Sequence, residues 1–235
     1  MRNKWMVWGS LLSVFLLIVA LYHLHITNNP VVTIQNKGDI AGKNMTVHLE
    51  KGPYWYHEIF YVAKLSPQFA IWFEDLEGNY IGTFYVTGKF YQWTQEATDK
   101  APNRIEALPV WWHKQNKAPL TDTITAATPK QRLYLDNKIT DVPSKFIVKM
   151  EINNSFDYNA HYTIDGVNGS IIAAIGGQPA IIYSAVVDLN AVQKEYKLYI
   201  SGQSSYDGHN GEISPNIDNL TTAREIVNRI ILNIN

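Results

Sequence analysis

The sequence predicts an all-β protein, an antiparallel β-sandwich held outside a membrane by a single N-terminal helix. Three observations point there. Several short runs alternate apolar and polar side chains, the period of strands buried on one face. Aromatic residues reach 12%, with 14 Tyr and 7 Trp, which suits broad sheet surfaces better than helical bundles. Near the N-terminus an uncharged run from Trp5 to Leu24 follows Arg2 and Lys4.

Residues 1–4 read as a basic cytoplasmic end and residues 5–24 as a transmembrane helix. Twenty residues at helical rise cover about 30 Å, the thickness of a hydrocarbon core. The next Lys is at position 37, so the positive charge lies on one side and the rest of the chain is expected to be exported. Trp5, Trp8 and Tyr22 lie near the ends of the run, where amphipathic rings prefer the interface. A cleaved signal peptide is the alternative. The run is long for one, however, and "ALYHLHITNN" offers no small-x-small cleavage site. The expected location is therefore a single-pass membrane protein whose C-terminal domain is extracytoplasmic.

Residues 25–43 read as a tether, rich in Gly, Asn and Lys towards its end, and residues 44–235 as the exported domain. "NMTVHLEK" alternates Met45, Val47 and Leu49 with Thr46, His48 and Glu50. "FAIWFEDLEGNYIGTFYVTG" gives strands at Phe69–Glu74 and Tyr80–Thr87 around an Asp-Leu-Glu-Gly-Asn turn. "KFIVKMEIN" alternates again. A second hairpin follows, with strands at Ile181–Asp188 and Glu195–Ser201. The C-terminal "NLTTAREIVNRIILNIN" predicts one helix. Thr222 and Glu225 have capping-box spacing, and Ala223, Ile226, Val227, Ile230 and Ile231 form an i, i+3, i+4 stripe. The last residues could instead run on as a strand.

The composition excludes several classes. A net charge of −1 gives nucleic acid no basic surface to track. Without cysteine there are no disulfides, no thiolate catalysis and no iron–sulfur ligation. Past the tether the histidines are His48, His57, His113, His161 and His209, none spaced with another for a metal. "DGHNGE", from Asp207 to Glu212, gathers oxygen ligands, but turn chemistry accounts for them without calcium. Glu74, Asp75 and Glu77 read as a solvated turn. "IGGQPAIIY" has a Gly pair, yet a strand follows it where a phosphate loop needs a helix. The tryptophans of "YWYHEIF", "IWFED" and "PVWWHK" divide between core and a candidate aromatic platform. No nucleophile–base pair stands out, so an enzyme acting alone is not expected.

Three passages, "FAIWFEDLEGNYIGTFYVTG", "RIEALPVWWHK" and "TDTITAATPK", resemble in order the motifs of a bacterial family of predicted periplasmic proteins of unknown function. The tail around "YDGHNGEISPNIDNLTTAREIV" is similar to that of one branch of it. The resemblance implies an exported immunoglobulin-like sandwich and no established activity.

Asp122, Thr125, Ala127 and Thr128 also match D-x-x-[S/T]-x-A-T, which resembles the acceptor motif of an extracytoplasmic flavin transferase. By that resemblance Thr128 would carry FMN through a phosphoester, with Asp122, Thr125 and Ala127 as recognition positions. Position 126, usually Gly in the motif, is Ala here. The competing reading has Asp122 and the threonines bonding their own backbone in a turn. The sequence thus leads to a membrane-anchored binding or assembly module with no cofactor, partnered by the membrane and a cell-envelope protein. A flavinylated electron carrier beside a membrane redox complex is the alternative.

Overall fold

The computed structural model describes residues 30–38, 40–59, 63–88, 104–115, 125–126, 128–165 and 176–235. The expected anchor at 5–24 lies outside them. The described residues are mostly β, compatible with the all-β class that the sequence patterns predict. In order come β1 (Val31–Asn36), β2 (Met45–Lys51), β3 (His57–Ile59), β4 (Ala63–Leu65), β5 (Gln68–Glu74) and β6 (Tyr80–Thr87). A short helix, α1 (Pro109–Gln115), precedes β7 (Thr125–Ala126), β8 (Arg132–Leu135) and β9 (Lys145–Asn153). β10 (Ile181–Asp188), β11 (Glu195–Gln203) and β12 (Val227–Ile234) complete the series.

Among the described residues, ten strands form one sheet in the order β7-β6-β5-β9-β10-β11-β12-β2-β1-β8, and β3 and β4 make a separate hairpin. The large sheet curls, and β11 serves both halves of it. Its Glu195–Leu198 stretch pairs with β12, and Tyr199 to Gln203 pair with β10. Alternation decides which side chains fill the curl. Phe69, Ile71 and Phe73 of β5, Phe146, Val148 and Met150 of β9, and Ile230, Leu232 and Ile234 of β12 all face one core. Phe73 packs on both Phe84 and Phe146, with centroids 5.9 and 5.1 Å apart, within the preferred range for aromatic pairs.

The two ends of the sheet are brought together by a pair of asparagines. Asn137, just past β8, donates its Nδ2 to the carbonyl of Thr83 on β6 at 2.9 Å. Asn36, at the end of β1, receives the Asn137 N–H at 2.8 Å and donates to the Asn137 carbonyl at 2.7 Å. Both asparagines are buried, so every one of these bonds replaces water that is absent.

Two expectations are corrected here. The C-terminal segment is not an α-helix but a short 3-10 turn, Thr222–Glu225, followed by β12. The apolar positions fit both periods, and the β-branched run settles the choice, since β12 lies between β11 and β2 with alternate residues buried. The capping box does not form: the Thr222 hydroxyl donates to Asp157 Oδ1 at 2.6 Å. The tether is shorter than read, because Val31–Asn36 is a strand that buries Val32, Ile34 and Asn36.

Candidate functional site

β5 is buried along its whole length, which explains why "FAIWF" is continuously apolar where a half-exposed strand would alternate. Its second face is covered by α1 and the turn before it. Ala70, Trp72, Val86 and Ile182 from the sheet pack against Ala107, Leu108, Val110 and Trp111. A helix of seven residues is too short to persist alone. Its neighbours hold it at four points.

Glu151 of β9 caps its first turn. The carboxylate accepts the Val110 N–H at 3.1 Å and the Trp111 N–H at 2.8 Å, taking up two of the donors a helix start leaves unpaired. The Trp111 Nε1–H donates to Thr83 Oγ1 at 2.8 Å. Lys114 donates to the Gly78 carbonyl at 2.6 Å, in the turn between β5 and β6. His113 Nε2 meets the Gly208 carbonyl at 2.9 Å, in the "DGHNGE" loop.

Charge is buried under this lid. Glu74, read from the sequence as part of a solvated turn, is instead fully buried and accepts from the Trp72 indole at 2.8 Å, with Lys149 Nζ at 2.8 Å and Lys114 Nζ at 3.6 Å. Glu106 pairs with Arg104 at 3.0 Å. Burial pushes the Glu151 carboxyl up to about 8, against the pull of the two N–H groups and of Lys149. Burial also raises Glu106, with Arg104 opposing it. Carboxylates tuned upwards suit acid–base work in a cleft, but both oxygens of Glu151 are occupied by backbone donors.

The sequence-level candidates fall as follows. Thr128 donates its hydroxyl to the Pro67 carbonyl at 2.9 Å and is half-buried. The partner is therefore the segment leading into β5, not its own turn. Thr125 lies in β7, paired in parallel with Val86 of β6. Asp122 and Ala127 lie outside the described residues. Trp55, Trp72 and Trp111 are buried, so they build core and no platform. The described histidines do not converge, and no group of three or more His, Asp or Glu could hold a metal among the described residues. In the "DGHNGE" loop Asp207 and His209 bond to each other through Oδ1 and Nδ1.

One surface escaped sequence reasoning. The outer face of β11, β12, β2 and β1 carries a shallow groove of about 350 Å³. Val31 and Ile231 give it apolar area, and His48, Glu50, Arg229, Asn233 and Glu195 its polar groups. Glu50 and Arg229 are directly opposed across β2 and β12 and form an ion pair at 3.2 Å. His48 Nδ1 is 3.1 Å from Thr33 Oγ1. The signal was available in "VVTIQN" and "NRIILNI", whose outward positions alternate polar and β-branched residues.

No family model matches the chain, no curated protein matches it, and no solved structure matches it.

Proposed function

We propose that the chain is an extracytoplasmic binding or assembly module on an immunoglobulin-like scaffold, held to the membrane by residues 5–24 and not catalytic by itself. The groove on the β11–β12–β2–β1 face carries this reading. The polar side chains around α1 (His113, Lys114, Glu151) are engaged in holding it to its neighbours. The groove instead offers side chains on a rigid sheet, with hydrogen-bonding groups beside apolar area, as suits a polar ligand of the cell envelope.

A photo-reactive residue in place of Ile231 tests it, with Val186 on the other half of the sheet as the control site. Crosslinking in intact cells should give an adduct from position 231 that His48→Ala weakens. Equal adducts from both positions, or none from 231, would sink the proposal.

A further inference from the structure

The described chain begins at Pro30, whose carbonyl accepts the Lys51 N–H at 2.6 Å. Around that point the surface has a composition of its own. Lys51 Nζ donates to the Lys130 carbonyl at 2.9 Å, so the segment before β8 lies alongside. The Gly52 N–H reaches the Ile226 carbonyl at 2.8 Å, which places the 52–56 turn against the start of β12. In that turn Trp55 is buried, while Tyr54 and Tyr56 are 43% and 36% exposed on either side of it. Lys51 Nζ lies 5.6 Å from the Tyr56 ring centroid. Lys130, Arg224 and Arg229 are exposed at the same end. The acidic neighbours are Glu50, paired with Arg229, Glu225, next to Arg224, and Glu58, two residues past Tyr56 and paired with Lys64.

If residues 5–24 span the membrane, only residues 25–30 separate the span from this surface. Six residues reach at most about 20 Å, and the headgroup layer itself is about 5–8 Å thick. Tyrosine flanked by Lys and Arg is the chemistry of a membrane interface: the ring sits among headgroups and the cations meet phosphate.

We infer that this end of the domain, formed by Tyr54, Tyr56, Lys51, Lys130 and Arg224, docks on the phosphate-bearing surface of the membrane that holds the anchor. The docking face presupposes the anchor at 5–24. It orients the whole molecule. β12 runs from Val227 at the membrane end to Ile234 at the other, where the 189–194 turn between β10 and β11 lies. The strands thus stand away from the bilayer, with the groove opening sideways above it.

The chain has no cysteine, so a single introduced one labels cleanly. Full-length Asn228→Cys and Val192→Cys are labelled with a dye and reconstituted in phosphatidylcholine vesicles with or without phosphatidylglycerol, plus quencher-headgroup lipid. The dye at 228 should be quenched, more strongly with phosphatidylglycerol, and the dye at 192 should not. Replacing Lys51, Lys130 and Arg224 by Gln should lower the docking equilibrium constant about fivefold per side chain. High salt should release the unmutated chain in the same way, which covers a variant that fails to fold. Equal quenching at 228 and 192, or quenching at 228 indifferent to both lipid charge and salt, overturns the docking face while leaving the anchor. A chain extracted from the vesicles by alkaline carbonate overturns the anchor, and the docking face falls with it.

Discussion

Raising the pH from about 5 to about 8 should weaken this fold, and Glu151→Gln should remove most of that dependence. The side chain is fully buried beneath α1. Its carboxyl titrates at about 8 in the folded chain, against 4.5 ordinarily. Between those values the folded protein keeps a proton that the unfolded chain has released, so its stability falls as pH rises through the interval. At about 1.4 kcal/mol per decade, the span amounts to about 5 kcal/mol. The loss stops growing once lifting α1 off the sheet becomes the easier course, because lifting it rehydrates the carboxylate. Denaturant titrations of the full chain in detergent at a series of pH values measure the loss. Amide exchange at Val110 and Trp111 reports the lifting.

The glutamine side chain of that variant would offer one accepting oxygen where the carboxyl group, even protonated, offers a second through its hydroxyl oxygen, leaving one helix N–H facing an amide NH₂. An unpaired buried donor costs about 1–3 kcal/mol. The variant should therefore be weaker than the wild type near pH 5 and as strong or stronger above about 8, with the two curves crossing. Buried Glu106 and Asp157 are also raised, chiefly by desolvation, and add slope of the same sign. They act on both proteins and cancel in the difference. A difference between wild type and variant that stays constant across the interval would refute the reasoning. It would mean that the two N–H bonds keep Glu151 ionised throughout.

Other substitutions probe other contacts. Gly208 has φ of +73°, and a Cβ there would lie 2.8 Å from the Glu106 backbone nitrogen, so Gly208→Ala should cost about 1–3 kcal/mol by denaturant midpoint. A neutral effect would mean that the loop shifts freely against α1. Asn137→Ala should cost a similar amount and raise amide exchange in both β1 and β6, because it removes the bond to Thr83 joining the sheet ends. Exchange confined to β1 would show that the two ends are independent. Thr128→Val should cost about 1 kcal/mol through the lost bond to Pro67, and the wild-type chain co-expressed with an FMN transferase should keep its unmodified mass. A gain of one FMN that Thr128→Val abolishes would show instead that the hydroxyl is a modification site.

The strands that bury one face and stand between clear turns were readable from sequence. "KFIVKMEIN" matches β9 from end to end, and the hairpin around Asp75–Asn79 matches β5 and β6 to within a residue. What escaped was decided by partners far away in the chain. β1 alternates Val32 and Ile34 inward, yet Gly, Asn and Lys just beyond it read as tether. β12 satisfies helical and strand periods together, and only its place between two strands selects one. α1 has no sequence cap of its own, because its cap is a carboxylate on β9. The outward positions of "VVTIQN" and "NRIILNI" were legible one strand at a time, but the groove itself was not, since its polar groups come from three strands that meet only after folding.

The same long-range dependence explains why the residues that look most like chemistry are poor guides to function here. The acidic turn, "RIEALPVWWHK" and the "DGHNGE" loop are widely separated, yet Lys114 ties the first to α1 and His113 ties the last. Thr125 and Ala126 belong to the sheet beneath, pairing with β6. Each contact alone would contribute about a kilocalorie per mole. Together they hold a helix that could not form unaided over Trp72, with its own Trp111 buried against the sheet. A substitution in any of these passages therefore loosens the lid before it touches a ligand. Loss of binding by such a variant says nothing about contact, whereas loss by His48→Ala with an unchanged denaturation midpoint locates the ligand in the groove.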